Sequence, residues 1–453
     1  MRLLLQGLLL ALLLNGCSRD TISEKVQEET IRTWKAYERY GWPNDHFSPI
    51  TGVSQNWYEN SLFMSPIDGY STLKLMGYED ETDRIERFVQ DSLRYDKDVF
   101  VKVFEVNIRI LGGLLYMYEN TGNPDVLAKA KDFGDRLLKA FDSPTGLPYY
   151  YVNLRTGEAK GDTVNLAECG SYAFEFGILS YYSKDPKYYQ AAKNAIIKLN
   201  ALKSPIGLFG RDIDVTTGEW TQTQSMVGAY ADSYFEYLYK SWLLFGDEDL
   251  KMIWDDNIAA VKKYLSDRQD GRLWFCKADM YSGEKNGYDV TVWDAYFPAL
   301  LVLSGDIETA ALNFDAWQYF VDRYAFPVWS YHYPSDSIIN GYYQLNPETL
   351  ESAYYLYVRT SDEKYYNYAR QFLESLEQHC RTDIAYCHIK DVRTMEKDDQ
   401  METFFIAETM KYLYLIFNER AGLNIDDYVF STEAHPFKKS NYDRAAVRKY
   451  LAL

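Results

Sequence analysis

The sequence predicts an all-α fold in which seven helical hairpins close into a toroid, and three observations support this. Apolar helical stretches end seven times at a short acidic or amide turn, where a second helical stretch begins. Most of these turns recur about every 60 residues, the length of two helices with their connections. Carboxylates recur one helix upstream of each turn. The turns centre on Asp80, Asn123, Asp185, Asp247, Asp306, Asp362 and Asn418.

Seven hairpins that each bring acid to the same end of the structure predict a ring of carboxylates around one mouth of the toroid. Such a ring suits a divalent cation and a polyhydroxylated ligand. The recurrent carboxylates are Asp68, Glu105, Glu168, Glu175, Asp232, Asp294, Glu348, Glu351, Glu402 and Glu408.

The first 30 residues indicate targeting rather than fold. A short basic start precedes an apolar stretch over residues 3–14, and the following LNGC, which ends at Cys17, resembles a bacterial lipobox. We expect a signal peptide over residues 1–16, lipidation at Cys17 and a polar tether over residues 17–30; ordinary secretion is the alternative. The expected location is the outer membrane, through the lipid anchor, facing either the periplasm or the exterior.

Length and charge restrict the remaining chain, residues 31–453, to a few protein classes. The 453 residues suffice for several domains or for one large toroid, and the absence of a Pro/Gly/Ser-rich linker favours a single domain, expected to be monomeric. A net charge of −18 argues against a nucleic-acid partner, whose phosphates would be repelled. Aromatic residues reach 17%, which fits helix–helix packing and, for a minority, stacking on sugars.

The cysteines leave one question open and exclude one kind of site. Cys380 and Cys387 flank a short polar segment and could pair, because the expected compartment permits disulfides. No Cys/His spacing indicates zinc, and five His make a His-rich metal site improbable.

Charged residues inside apolar helices mark the expected mouth. Glu105 and Arg109 lie at i, i+4 in the stretch 103–122, which is apolar nearly all round. A surface ion pair is the simple explanation, but an inner helix of a toroid can carry charge only where it lines the mouth. Asp232 and Glu236 repeat this spacing with like charges, which repel each other unless a cation or hydrogen bonds offset them.

Two further segments carry acid to the same region. Asn346 and Pro347 read as the cap and first residue of a helix, which places Glu348 in the first turn, where the macrodipole favours a carboxylate. After the last hairpin, the segment 429–437 reads as extended. It includes Thr432 followed by Glu433, whose hard oxygen ligands suit Ca²⁺ rather than zinc.

Seven stretches in order resemble glycoside hydrolase family 47, the calcium-dependent class I α-1,2-mannosidases, and most closely the ER degradation-enhancing mannosidase-like branch. They extend from about residue 45 to 437 and so cover nearly the whole mature chain. The family fold is an (α/α)7 barrel, here closed by a short C-terminal β segment, with residues 31–453 as one catalytic domain. The stretches are VFEVNIRILGGLL, GLPYYYVNL, ADSYFEYL, DAYFPALLVLSGDIETA, NPETLESAYYLYVRT, METFFIAETMKYLYLIF and FSTEAHP.

The resemblance implies removal of terminal α-1,2-linked mannose with inversion, from mannan or high-mannose glycans. By this analogy Glu105 is the general acid, acting through a water, and Glu348 is the general base. Asp232 is a third essential carboxylate, sometimes assigned the acid role instead. Thr432 is the only direct protein ligand of Ca²⁺. The analogy assigns contacts with the substrate or with the water around Ca²⁺ to Arg109, Glu175, Glu351, Phe404, Glu408 and Glu433.

Two departures from the family pattern concern specificity more than chemistry. Asn346 stands where the family usually has Arg, just before the Pro347–Glu348 pair. Tyr230, two residues before Asp232, matches neither of the familiar residues at a position that tunes branch preference. Both are therefore expected near the substrate, favouring short or exposed mannosides. The rival reading from another class is a non-catalytic glycan-binding outer-membrane lipoprotein, which would not need a carboxylate on every hairpin.

Overall fold

A computed structural model describes residues 2–418 and 420–453, with side chains described from residue 21 onward except residue 419. Helices dominate it. In chain order they are α1 (Arg2–Tyr40), α2 (Met64–Leu75), α3 (Glu79–Asp91), α4 (Val103–Val106), α5 (Gly112–Thr121), α6 (Pro124–Leu137), α7 (Leu166–Gly170), α8 (Ala173–Ser183), α9 (Lys187–Ala201), α10 (Asp232–Phe245), α11 (Glu248–Tyr264), α12 (Phe297–Leu303), α13 (Ile307–Tyr324), α14 (Glu348–Thr360), α15 (Glu363–Ser375), α16 (Met410–Phe417) and α17 (Arg444–Leu451).

These helices form two concentric rings. The inner ring contains α2, α5, α8, α10, α12, α14 and α16, and it closes where the segment before α16 packs on α2. Helices α3, α6, α9, α11, α13 and α15 each pack outside the inner helix that precedes them. The core lies between the rings and includes fully buried side chains as large as those of Trp34, Trp254 and Trp317.

All the predicted turns except Asn418 lie at the starts of outer helices. Asn123, Asp247, Asp306 and Asp362 are N-caps, and each accepts a hydrogen bond from a backbone N–H in the first turn of its helix. Such a cap satisfies a donor that the helix itself cannot pair. Four of the seven acidic and amide turns are therefore caps, which explains their chemistry, whereas Asp80 lies within the first turn of α3 and Asn418 follows the end of α16.

The predicted tether over residues 17–30 is wrong for the residues whose side chains are described. Residues 21–30 belong to α1, which packs on α16 as the outer helix of the seventh pair. Val26 and Thr30 are fully buried there. The physical reason is that no outer helix directly follows α16, so the apolar face of α16 would otherwise meet water. The lipidation of Cys17 concerns a side chain outside the described set and stays a prediction.

Short antiparallel strands lie in the connections that lead from outer to inner helices. The last hairpin, formed by β19 and β20, is the expected C-terminal β segment. The strands are β1 (His46–Phe47), β2 (Ser54–Gln55), β3 (Phe100–Lys102), β4 (Tyr151–Asn153), β5 (Ala159–Lys160), β6 (Thr163–Asn165), β7 (Asp212–Asp214), β8 (Trp220–Gln222), β9 (Gln224–Ser225), β10 (Ser266–Gln269), β11 (Arg272–Phe275), β12 (Lys277–Asp279), β13 (Lys285–Gly287), β14 (Asp289–Thr291), β15 (Ser330–His332), β16 (Ser337–Asn340), β17 (His388–Asp391), β18 (Glu396–Asp398), β19 (Tyr428–Phe430) and β20 (Pro436–Lys438).

Two sequence questions are answered by the described residues. Cys380 and Cys387 are buried free thiols, although the Cys387 N–H donates to the Cys380 carbonyl at 2.9 Å. Among the helices of the described residues, none is both long and apolar enough to cross a membrane.

Candidate active site

A cavity of about 340 Å³ opens where the inner helices begin. Glu105 lies in α4, while Asp232 and Glu348 are the first residues of α10 and α14. Because inner helices start at the same end of the barrel, their first turns bring these side chains to one wall. The carboxylates that line the cavity are Glu105, Glu168, Asp232, Glu236, Glu348, Glu351, Glu408 and Glu433.

Most residues expected at the site line this cavity, including Arg109, Tyr230, Pro347, Phe404 and Thr432. Two do not line it.

Glu175 is fully buried behind the wall, where it accepts hydrogen bonds from Tyr237 and, at 2.9 Å, from Asn107. Asn346 is also buried, and its amide donates to Glu348 Oε1 at 3.4 Å. Neither side chain therefore faces the cavity directly.

Arg109 joins three carboxylates beneath the wall. Its guanidinium donates from Nε to Glu105 Oε2 at 3.1 Å and from Nη1 to Glu433 Oε2 at 2.8 Å. The same Nη1 lies 3.4 Å from Asp68 Oδ2, and the Phe404 ring lies 5.7 Å from the guanidinium carbon. Arg109 is therefore not part of a surface ion pair; it holds the expected acid, Glu105, and Glu433, the residue after Thr432, in one network.

Two π-helical turns interrupt inner helices at the site. One spans Asn107–Leu111 and includes Arg109, and the other spans Phe405–Thr409 and includes Glu408. A π turn adds one residue to the helical repeat and so redirects the side chains around it. The spacing of Glu105 and Arg109 still permits their ion pair, but the π turns change which neighbours Arg109 and Glu408 face.

Thr432 lies in the turn between β19 and β20 and reaches the cavity floor. Its hydroxyl donates to Glu236 Oε2 at 2.7 Å, and its N–H donates to the Tyr237 hydroxyl at 3.3 Å. Buried Lys240 forms a short ion pair with Glu236. The repulsion between the carboxylates of Asp232 and Glu236 is thus partly offset by the positive charge of Lys240.

Burial controls the acidity of the cavity carboxyls. It raises the pKa of Glu348 to about 8 and that of Glu351 to about 7, while Lys240 opposes the shift at Glu351. Burial, reinforced by Glu236, raises the pKa of Asp232 well above its usual value. At Glu348 the desolvation outweighs the helix macrodipole, which favours the ionised form.

Glu168 lines the cavity beside Glu105 and was not assigned a role from sequence. Burial, with a contribution from the charge of Glu105, raises its pKa from 4.5 to about 7. Its Oε1 accepts a long hydrogen bond, 3.4 Å, from the Tyr150 hydroxyl. The charge of Lys102, this contact and the Asn165 side chain favour the charged form, but they do not offset the burial.

We expect Glu168→Gln to stabilise the metal-free protein at pH 8.5 and to change its stability little at pH 5. The raised pKa means that folding favours protonated Glu168, a contribution present in full below about pH 4.5 and lost as pH rises through about 7. At pH 8.5 only the wild type buries a charge. The free energy of unfolding of the variant should therefore be higher by ~2 kcal/mol, less than the full pKa shift implies because cavity water screens part of the cost. Urea unfolding in EDTA at both pH values measures this, and equal effects at both would contradict it.

Aromatic side chains that sequence analysis did not assign form part of the cavity wall. Trp293 and Trp329 pack edge to face with ring centroids 4.6 Å apart, and both line the cavity. Tyr296 lines it too, but its hydroxyl is engaged with the Val227 carbonyl at 3.0 Å. The position of Trp293, directly before Asp294 of the predicted ring, was a usable signal, whereas Trp329 carried none.

Constrained backbone surrounds the site. Tyr230 and Leu345, which precede Asp232 and Asn346 closely, have φ of +80° and +66°. A Cβ on Gly228 would lie 2.0 Å from Asp294 Oδ2, so only glycine fits. The carboxylate of Asp294 accepts hydrogen bonds from Thr291, the N-cap of the short helix that contains it. This explains why Asp294, a member of the predicted carboxylate ring, does not line the cavity.

The donor set fits Ca²⁺ better than a transition metal. Thr432 and the surrounding carboxylates offer only oxygen, the ligand type that Ca²⁺ prefers. Glu348 Oε2 is buried without a hydrogen-bond partner, a polar atom that a cation-bound water could satisfy. Among the described residues no group of three or more His, Cys, Asp and Glu has the arrangement of a direct metal site.

Comparisons with known proteins agree with this geometry. The model of the family described as Glycosyl hydrolase family 47 matches residues 29–439. The chain is 33% identical to Alpha-mannosidase I MNS5 of Arabidopsis thaliana, over 93% of this chain and 77% of that protein. It is also 33% identical to ER degradation-enhancing alpha-mannosidase-like protein 2 of Homo sapiens, over 91% of this chain and 77% of that protein.

A solved structure has the same architecture. The alpha-1,2-mannosidase from Trichoderma reesei aligns with a TM-score of 0.86 and 26% identity, covering 92% of this chain and 99% of that one. The (α/α)7 barrel expected from the repeat of turns is thereby confirmed.

Proposed function

Since this chain belongs to glycosyl hydrolase family 47 and is a glycoside hydrolase, we propose that it is a calcium-dependent, inverting exo-α-1,2-mannosidase. Its substrates are terminal α-1,2-linked mannoses of mannan or high-mannose glycans. The observation that carries the proposal is the meeting of Glu105, Asp232, Glu348 and Thr432 in one cavity, contributed by four different parts of the barrel.

Glu348 suits the general base. Its Oε1 accepts from Asn346, while its Oε2 is buried and has no hydrogen-bond partner. Once the carboxylate is ionised, as the positive charge of a bound Ca²⁺ would favour, this oxygen is free to accept the proton of an attacking water. In an inverting hydrolase that water needs room, so the two catalytic carboxyls stand ~6.5–9.5 Å apart. Placing the acid and base on different hairpins permits such a separation.

Glu105 suits the general acid. Its side chain is about one-fifth exposed at the cavity, and Arg109 fixes one carboxylate oxygen at 3.1 Å. The second oxygen remains available to pass a proton, directly or through a water, to the leaving sugar. Asp232 faces the same cavity with a raised pKa and is the alternative proton donor.

Thr432 would hold the Ca²⁺, and Glu236, Glu351, Glu408 and Glu433 would orient the water and sugar hydroxyls around it. The bound ion would supply positive charge that positions the nucleophilic water and the sugar ring. Phe404 and the Trp293–Trp329 pair offer apolar faces on which sugar rings can stack.

The mannose released from methyl α-1,2-mannobioside, whose other sugar remains a methyl glycoside, is expected to be the β-anomer. A base that activates water on the face opposite the leaving group inverts the anomeric centre. A ¹H NMR time course, read before mutarotation, measures this. Initial α-mannose would contradict inversion, and binding of mannobiose without any release would favour the glycan-binding alternative.

The specificity prediction now rests on Tyr230, because Asn346 is buried and an Asn346→Arg change would also disturb Glu348. Tyr230 is 51% exposed at the mouth, with the Arg211 guanidinium 5.0 Å from its ring centre. We expect Tyr230→Asn, which tolerates the positive φ, to change kcat/KM for branched glycans about two- to tenfold, the worth of one stacking contact. Mannobiose should change less, and equal changes on both substrates would exclude this role.

A further inference from the structure

The turn between β19 and β20, residues 431–435, is called here the Thr432 turn. It is closed by hydrogen bonds from the Ser431 N–H to the His435 carbonyl and from the Ala434 N–H to the Ser431 carbonyl, both 3.0 Å. Ala434 has φ +54°, a left-handed conformation that costs energy in a residue other than glycine. Contacts from outside the turn must therefore hold this conformation.

Lys411 of α16 supplies such a contact. Its ammonium donates to the carbonyl of Ala434 at 2.6 Å and to the Ser71 hydroxyl at 2.8 Å. The side chain is fully buried, which lowers its pKa to about 7. An apolar side chain would fill this part of the core without the cost of burying an ammonium group. The hydrogen bonds of Lys411 thus explain its presence where packing does not.

The remaining contacts fix the same turn from two sides. On the core side, the Ser71 hydroxyl and His435 Nδ1 are 3.0 Å apart, so Ser71 links Lys411 to the end of the turn. On the cavity side, Glu433 accepts from Arg109 at 2.8 Å and Thr432 donates to Glu236 at 2.7 Å. A movement of the Ala434 carbonyl would displace the two preceding residues, which line the cavity.

We propose that Lys411 is a positioning residue, which holds the Ala434 carbonyl and thereby keeps the oxygens of Thr432 and the carboxylate of Glu433 directed into the cavity. The proposal rests on the proposed Ca²⁺ function, because Thr432 is the residue that would hold the ion. Its consequence is that Lys411 sets the affinity for Ca²⁺ without touching the ion.

The test is Lys411→Met, which keeps an unbranched side chain, one atom shorter, and removes its donors. Calorimetric titration of the substrate-free protein with Ca²⁺ should show affinity at least ~10-fold weaker than wild type, as is usual when a group supporting a metal ligand is lost. Thermal unfolding in EDTA should show a lower Tm than wild type, because the Ala434 carbonyl and the Ser71 hydroxyl lose their donor inside the core. A residue with a merely structural role would lower Tm and leave the Ca²⁺ affinity of the folded protein unchanged.

Two further variants complete the test. Lys193→Met breaks ion pairs of 2.8 Å and 2.7 Å with Asp247 and Asp249, at an outer helix away from the cavity, and should lower Tm with unchanged Ca²⁺ affinity. Ser71→Ala should weaken Ca²⁺ binding by a smaller factor than Lys411→Met. If Lys411→Met does not fold, the Ca²⁺ affinity of Ser71→Ala tests the proposal in its place.

Three results would overturn the proposal. Unchanged Ca²⁺ affinity in Lys411→Met would remove the role, and tighter binding would show that Lys411 acts only by repelling the cation. A wild type that binds no Ca²⁺ would overturn both this proposal and the calcium dependence, whereas the first two results leave the calcium dependence standing.

Discussion

Chelation with EDTA is expected to abolish hydrolysis of α-1,2-mannobiose, by more than ~10²-fold, and added Ca²⁺ to restore it. Eight carboxylates line the cavity, and several of them have a raised pKa. A bound divalent cation would offset the repulsion between those that are ionised. Mg²⁺ should not restore activity, since it demands a smaller, near-octahedral set of ligands that one Thr and its surroundings do not supply.

The measurement is an initial rate in metal-free buffer with each cation added back. Tm provides a second reading, because an ion that binds only the folded protein stabilises it. We expect Ca²⁺ to raise Tm and Mg²⁺ to leave it nearly unchanged. Full activity in the chelator would refute the calcium dependence.

Glu105→Gln and Glu348→Gln are each expected to lower kcat by at least ~10²-fold, the usual contribution of general acid–base catalysis. Gln keeps the size of the side chain and can accept hydrogen bonds, but it can neither give up nor take up the proton that the reaction requires. Mannose binding should persist in both variants. Kinetics on α-1,2-mannobiose and calorimetric titration with mannose measure the two effects.

The matched control is Glu86→Gln on α3. Glu86 accepts a hydrogen bond from Tyr70 at 2.5 Å, outside the cavity, so its loss should affect stability and leave kcat unchanged. An equal loss of kcat in all three variants would indicate general destabilisation. A small effect of Glu105→Gln beside a large effect of Asp232→Asn would instead identify Asp232 as the proton donor.

Most of the architecture could be predicted from local sequence patterns. Asn123, Asp247, Asp306 and Asp362 recur because an outer helix needs an N-cap, and capping depends on residues close in sequence. The seventh pair was read wrongly because its two helices, α1 and α16, come from opposite ends of the chain. Local periodicity contains no information about such a pairing.

The candidate site was readable only in part. Glu105, Asp232 and Glu348 were predictable because each stands at the start of an apolar inner helix, where a carboxylate has little structural reason to occur. The buried placement of Glu175 and Asn346 and the approach of Trp329 depend on segments distant in sequence that meet in space. The resemblance to a known family assigned roles that the residue pattern alone left open.

The sequence by itself determined the repeat of hairpins, the carboxylates at one mouth and the oxygen-rich Thr432 turn, because helix periodicity and capping act over a few residues. Only the tertiary structure decided which carboxyls face the cavity, how Arg109 joins three of them and how Lys411 holds the Thr432 turn. These contacts join segments up to 324 residues apart, as for Arg109 and Glu433. The pKa values of the cavity carboxyls follow from burial. The packing of the whole barrel sets that burial, and no local sequence pattern contains it.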